Sequence, residues 1–150
     1  MATPFPFTIG QVLTSAQMNS IGETTAFTPT LTNITLGNGT LSARHVLINN
    51  FVHYEGKISF GSTTAITGTP EISLPFTATQ GFQVTGNVVY ADSGVATYMG
   101  FPLSISTTTA VLFIQNFATA YGSEVAVSAT VPFVWGVNDS ITWSFKYAKA

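Results

Sequence analysis

Two histidines, six carboxylates and four basic side chains are nearly all the ionisable chemistry in these 150 residues, and there is no cysteine. His45 and His53 invite a metal reading, because two imidazoles on one face can share an ion. Their spacing argues otherwise. With Asn49-Asn50 as a two-residue turn, His45 faces inward opposite Tyr54 and His53 faces outward opposite Val46, so His45 reads as a satisfied core histidine and no metal is expected. The acids are scattered, with Asp92 and Asp139 the two aspartates, and nothing in the spacing pairs two carboxylates for acid–base work. No Gly-x-Ser-x-Gly elbow, His-Glu-x-x-His helix, P-loop or Gly-x-Gly-x-x-Gly turn is present. Catalysis is not expected, and neither is a cofactor. Three sequons, at Asn33, Asn38 and Asn138, are what a Thr-rich chain produces by chance and are assigned no function.

The absent cysteine removes disulfides, thiolate zinc sites and cysteine nucleophiles together. Four basic residues are too few for a nucleic-acid footprint, which needs clustered Lys and Arg to release counterions. The mean hydropathy is +0.37 and only 7% of residues are charged, yet the longest aliphatic run, Ala110 to Ile114, falls far short of the roughly 20 residues that span a bilayer. No membrane insertion is expected, and the start reads as neither a secretory signal nor a transit peptide. With so little charge the barrier to association is low, as suits a subunit that lives assembled.

The elements that must position any site fall into two parts. Residues 1–25 read as an extended arm with one short helix. Thr14-Ser-Ala-Gln17 matches the Ser/Thr-x-x-Gln capping box, Gly22 is the natural stop, and Phe5, Phe7, Ile9, Leu13, Met18 and Ile21 are apolar anchors in need of something to pack on. Residues 26–150 read as an all-β domain, rich in Thr, Val, Ile and aromatics and punctuated by Gly and Asn. Asn38-Gly39 and Asn49-Asn50 predict two hairpins forming a three-stranded meander. In that register Leu36 faces Leu41, Ile34 faces Ala43, Leu47 faces Val52 and Ala43 faces Gly56. On the polar face Asn33, Arg44 and Glu55 line up, and so do Thr35, Ser42 and Lys57.

Further strands are expected at Glu71 to Leu74, Phe82 to Tyr90, Val95 to Ile105, Ala110 to Gln115, Glu124 to Val134 and Ser140 to Tyr147. Ile141, Trp143, Phe145 and Tyr147 alternate with polar residues, and the odd-numbered residues from Val125 to Trp135 alternate equally well. A two-residue turn at Asn138-Asp139 mismatches these two faces, so that register stays open. Pro102 and Pro132 mark edges or bulges. The fold class this implies is an all-β, antiparallel two-sheet sandwich of jelly-roll type.

The stretch Phe27-Thr-Pro-Thr-Leu-Thr-Asn33-Ile-Thr-Leu-Gly-Asn-Gly-Thr40, continued by Ile58-Ser-Phe-Gly-Ser-Thr-Thr64 and Ile72-Ser-Leu-Pro75, resembles the β-structured domains of minor tail and fibre proteins of tailed bacteriophages. Val131-Pro-Phe-Val-Trp135 and Asn138-Asp139 look like the end of the same domain, and Gly10-Gln-Val-Leu-Thr-Ser-Ala-Gln-Met-Asn-Ser-Ile21 is similar to the segment that opens such proteins. Residues 80–125 lie outside the resemblance. It implies a virion component made in the host cytoplasm, on the tail rather than the head, often trimeric and in contact with the host. The chain departs from the group in being little more than one arm and one domain. A head or neck decoration protein with a purely architectural role is the alternative.

Three sets of residues follow from these expectations. Val111, Leu112, Phe113 and Ile114, apolar on both faces, are candidates for a homotrimer interface. The arm is expected to dock on another virion protein. Asn87, Tyr90 and Asp92 before one turn, with Asn116, Phe117 and Tyr121 in another loop, are candidates for holding a host surface glycan, with aromatic faces stacking on sugar rings and amides bonding hydroxyls. Such binding is expected to change little with ionic strength.

Overall fold

The computed structural model describes residues 10–19, 21–79, 84–103, 106–118 and 122–150. One helix, α1 (Ser15–Asn19), precedes ten strands among the described residues: β1 (Thr25–Ala26), β2 (Leu31–Thr35), β3 (Thr40–Ile48), β4 (Phe51–Ser59), β5 (Ala65–Ser73), β6 (Thr85–Asp92), β7 (Ala96–Leu103), β8 (Thr109–Asn116), β9 (Ser123–Ala126) and β10 (Ser140–Ala148). The capping box forms as expected. The Gln17 N–H donates to Thr14 Oγ1 at 3.2 Å and the Thr14 N–H donates to Gln17 Oε1 at 3.0 Å, while Gly22 turns the chain out with φ 76°.

All ten strands pair antiparallel in one continuous curled sheet, in the order β1-β3-β4-β10-β6-β7-β8-β5-β2, with β9 continuing the line of β5 along β8. The fold is all-β, and its inner faces share one apolar cluster. Val52, Tyr54 and Ile58 of β4, Ile72 of β5, Val88 and Tyr90 of β6, Leu112 of β8 and Ile141, Trp143 and Phe145 of β10 are all fully buried. Burying each aliphatic or Phe side chain contributes about 1.5–3 kcal/mol, which the Thr-rich outer positions do not. The alternation read for β10 is present, and Trp143 occupies the middle of the core because its cross-strand neighbour is Gly56. A Cβ on Gly56 would lie 2.3 Å from Trp143 Cζ2, so a glycine there gives the indole its place.

The Asn49-Asn50 hairpin has the expected register, including Leu47 opposite Val52, His45 opposite Tyr54 and Arg44 opposite Glu55, with Asn49 at φ 55°. Asn38-Gly39 does not make a hairpin, so the three-stranded meander is overturned, and with it the facing of Leu36 with Leu41 and of Ile34 with Ala43 and the alignment of Asn33 with Arg44 and of Thr35 with Ser42. β2 pairs with β5 at one end of the sheet order, whereas β3 pairs with β1 and β4 near the other. The physical reason is the company that turn keeps. Asn38 Oδ1 accepts from the Thr63 N–H at 2.9 Å, Asn38 Nδ2 donates to Ser62 Oγ at 3.0 Å, and the Thr64 hydroxyl donates to the Leu36 carbonyl at 2.6 Å. Two chain crossings, β2 to β3 and β4 to β5, thus clasp each other through side chains, and tertiary bonds replace the hairpin ladder.

The expected long strand at Glu124 to Val134 is also corrected. β9 ends at Ala126, after which Ser128 and Val131 share a single bridge and Val131–Pro132 is cis. Trp135 stacks on Phe60 with ring centroids 4.7 Å apart and packs against Phe133 at 4.5 Å, so the apolar alternation comes from a loop folding its aromatics onto the core. Asn138-Asp139 joins no hairpin, because β10 inserts between β4 and β6. Pro102 sits, as expected, where β7 has lost its β6 partner and keeps only β8.

Candidate functional site

Side chains alternate across a strand, so the residues that flank the buried ones on β3, β4, β10 and β6 form one outer face. The registers set it out in rows. Ser42, Lys57, Thr142 and Val89 make the first, Arg44, Glu55, Ser144 and Asn87 the second, and Val46, His53, Lys146 and Thr85 the third. Two shallow grooves open on this face. One, of about 430 Å³, lies between the first two rows and is lined by Ser42, Arg44, Glu55, Lys57, Thr142 and Ser144 over a floor of Ala43, Gly56 and Trp143. The other, of about 480 Å³, lies between the second and third rows and is lined by His53, Thr85, Asn87, Ser144 and Lys146 over Gly86 and Phe145. Ser144 is common to both.

The polar groups are held from within the sheet. His53 Nε2 and Ser144 Oγ are hydrogen-bonded at 3.0 Å, and Arg44 Nε pairs with the Glu55 carboxylate across β3 and β4. Lys57 and Lys146 are exposed and have no charged or hydrogen-bonding partner among the described residues. Their positions are roughly 14 Å apart, from four residues of strand rise and one strand spacing. The face therefore offers a carboxylate acceptor, hydroxyls, an amide and cations on rigid strands, which is the chemistry of binding a polar ligand.

The residues expected to contact a host separate. Asn87 is exposed and belongs to the second groove. Tyr90 is fully buried and its hydroxyl donates to the Phe113 carbonyl at 3.2 Å, so it is a core residue and not a binding aromatic. Asp92 and the half-buried Asn116 lie at the far end of β6 and β8, where Asn116 Oδ1 accepts from the Ala118 N–H at 2.9 Å and Phe117 is exposed. Tyr121 lies outside the described residues.

Of the candidate interface, Val111, Leu112 and Ile114 are buried within the single chain, and the half-buried Phe113 stacks on Phe101 at 6.2 Å. A second subunit is not needed to dry that strand. In the arm, Met18 and Ile21 are exposed and Leu13 is half-buried, while Phe5, Phe7 and Ile9 lie outside the described residues.

Sequence reasoning missed the grooves, although it had aligned Arg44 with Glu55 and Ser42 with Lys57. What it lacked was the place of β10, whose Thr142, Ser144 and Lys146 complete both. His45, read as satisfied, has a buried Nδ1 without a partner among the described residues, between the edges of Phe27 and Phe76, and burial lowers its pKa. Burial likewise pushes the Tyr54 and Tyr90 phenols well up and that of Tyr147 to about 12, so all three remain neutral hydroxyls at ordinary pH. Among the described residues no cluster of three or more His, Asp or Glu is placed to hold a metal ion, and no helix is long and apolar enough to cross a membrane. No family model, curated protein or solved structure matches the chain.

Proposed function

We propose that this chain is a structural component of a bacteriophage virion, a tail-fibre or receptor-binding subunit that attaches by residues 1–25 and presents its β-domain to the host surface. One observation carries the reading: the arm holds apolar side chains out in water. Val12 is 85%, Met18 59% and Ile21 42% exposed around a helix of five residues that is too short to persist on its own propensity. Apolar groups presented this way suit insertion into another protein. Behind the arm, the grooved outer face of β3, β4, β10 and β6 suits contact with a polar ligand.

We read the curled sheet as a jelly-roll-like sandwich. The two clasped crossings support this, since one carries the chain from the β2 and β5 pair to the β3 and β4 pair and the other carries it back. A homotrimer fits the resemblance to fibre proteins, with the outer stripe of Met99, Phe101 and Phe113 as the apolar surface left for it.

Gold-labelled antibodies against the β-domain are expected to decorate the tails of intact virions. Absence of the chain from purified particles overturns the reading, and label confined to the head or neck moves it to an architectural role. Deleting residues 1–22 is expected to abolish incorporation while the domain still folds.

A further inference from the structure

We infer that the grooved face binds an acidic saccharide, a sugar chain carrying carboxylates, and this inference rests on the reading of the chain as a surface-contacting subunit. The observation behind it is the distribution of charge. Arg44, Lys57 and Lys146, three of the four basic residues, lie on this one face with Glu55 as its single carboxylate, on a chain of formal net charge -2. The other five acids are elsewhere: Glu23 precedes β1, Glu71 is on β5, Asp92 ends β6, Glu124 is on β9 and Asp139 is buried before β10. A positive face on a negative molecule concentrates an anionic ligand there.

The partners of each charge narrow the ligand. Arg44 is already neutralised by Glu55, which leaves Lys57 and Lys146 as the free cations. One sugar ring cannot reach both across roughly 14 Å, whereas an extended oligomer with an acid group on separate residues can. Between the lysines lie Glu55, His53, Ser144 and Asn87, a mixed set of acceptors and donors matched to the hydroxyls of a sugar backbone. A nucleic acid fits less well, because the exposed ring this face carries, Phe51, stands a row beyond the two grooves and leaves one base at most a place to stack, while Glu55 puts a carboxylate where phosphates would pass. The expectation of salt-insensitive, aromatic stacking is thereby replaced: Tyr90 is in the core, and the ligand sits among charges.

The test is titration calorimetry of the full chain with a galacturonate oligomer, a neutral galactose oligomer of the same length, galacturonate monomer and a single-stranded oligonucleotide. The acidic oligomer is expected to bind at least about tenfold more tightly than the neutral oligomer or the monomer and to weaken as salt is raised. The Lys57→Gln, Lys146→Gln double variant, whose changes are both on exposed side chains, is expected to melt like the parent and lose at least about tenfold in affinity. Equal binding of the neutral oligomer, tighter binding of the oligonucleotide, or unchanged affinity in the double variant overturns the inference. Virions carrying the double variant separate the two readings. Normal adsorption with the chain present on the tail refutes the acidic ligand and leaves attachment standing, whereas absence of the chain from virions refutes the attachment role itself.

Discussion

The two ends of the core are both aromatic, yet they treat their polar atoms in opposite ways. At the end near the 92–95 turn, Trp135 Nε1 donates to the Ser128 carbonyl at 2.9 Å, Tyr90 donates to the Phe113 carbonyl, and the buried Asp139 carboxylate accepts from the Ser93 N–H at 2.9 Å and the Gly136 N–H at 2.5 Å. Toward the Asn49-Asn50 hairpin, Tyr54 meets Phe145, Phe27 and Trp143 edge-to-face at 5.2 to 5.9 Å, but His45 Nδ1, Tyr54 Oη and Trp143 Nε1 have no partner among the described residues. Tyr147, whose hydroxyl accepts from the Phe76 N–H at 3.1 Å, is the exception there. The first end uses polar atoms to fix an irregular loop whose backbone has no ladder. The second is built of regular strands held by their backbone ladders, and its buried polar side-chain atoms are left among aromatic edges, where an unpaired group costs stability.

Asp139→Ala should show the contrast most strongly. It strips two backbone N–H groups of their acceptor, Ser93 in the 92–95 turn and Gly136 in the loop before β10, and so unties the two segments, and urea titration should read a loss of about 2–4 kcal/mol. A loss below about 1 kcal/mol would mean the loop is held by its aromatics alone. Tyr90→Phe keeps the ring and removes one hydrogen bond, leaving the Phe113 carbonyl short of a donor, and a loss of about 1 kcal/mol is expected.

Tyr54→Phe, the same change at the other end, should leave stability unchanged or raise it slightly. A destabilisation as large as that of Tyr90→Phe would break the comparison. The smallest effect concerns His45. Its pKa is lowered in the folded state by burial, so the fold favours the neutral ring, and this contribution is complete above the unfolded value of 6.5 and lost as pH falls through and below it. The melting temperature should decline on acidifying below about 6.5, and His45→Phe should flatten that part of the profile.

The turns show what the sequence makes legible and what it leaves out. Asn49-Asn50 and Asn38-Gly39 carry the same local signal, and the first makes a hairpin because its flanking strands find each other across the turn with matching faces. The second is diverted by Ser62, Thr63 and Thr64, 24 to 28 residues away in sequence, which no local pattern announces. Period-2 alternation placed Trp143 and its neighbours correctly on β10, yet the same alternation from Val125 to Trp135 belongs mostly to a loop. The candidate grooves were half visible in the pairing of Arg44 with Glu55, and the other half waited on which strand lies beside β4.

That strand is also made after both of its partners. β4 and β6 are not partners of each other, and each hydrogen-bonds to β10 along nearly its whole length. Until residues 140–148 leave the ribosome, β4 and β6 present unpaired edges, and Gly56 and Val88 border a gap that only the Trp143 indole fills. Such non-local closure makes for slow folding and exposes edges to other chains in the meantime. During synthesis, then, the nascent chain carries two incomplete half-sheets, and the arrival of β10 both completes the core and closes the window for mispairing.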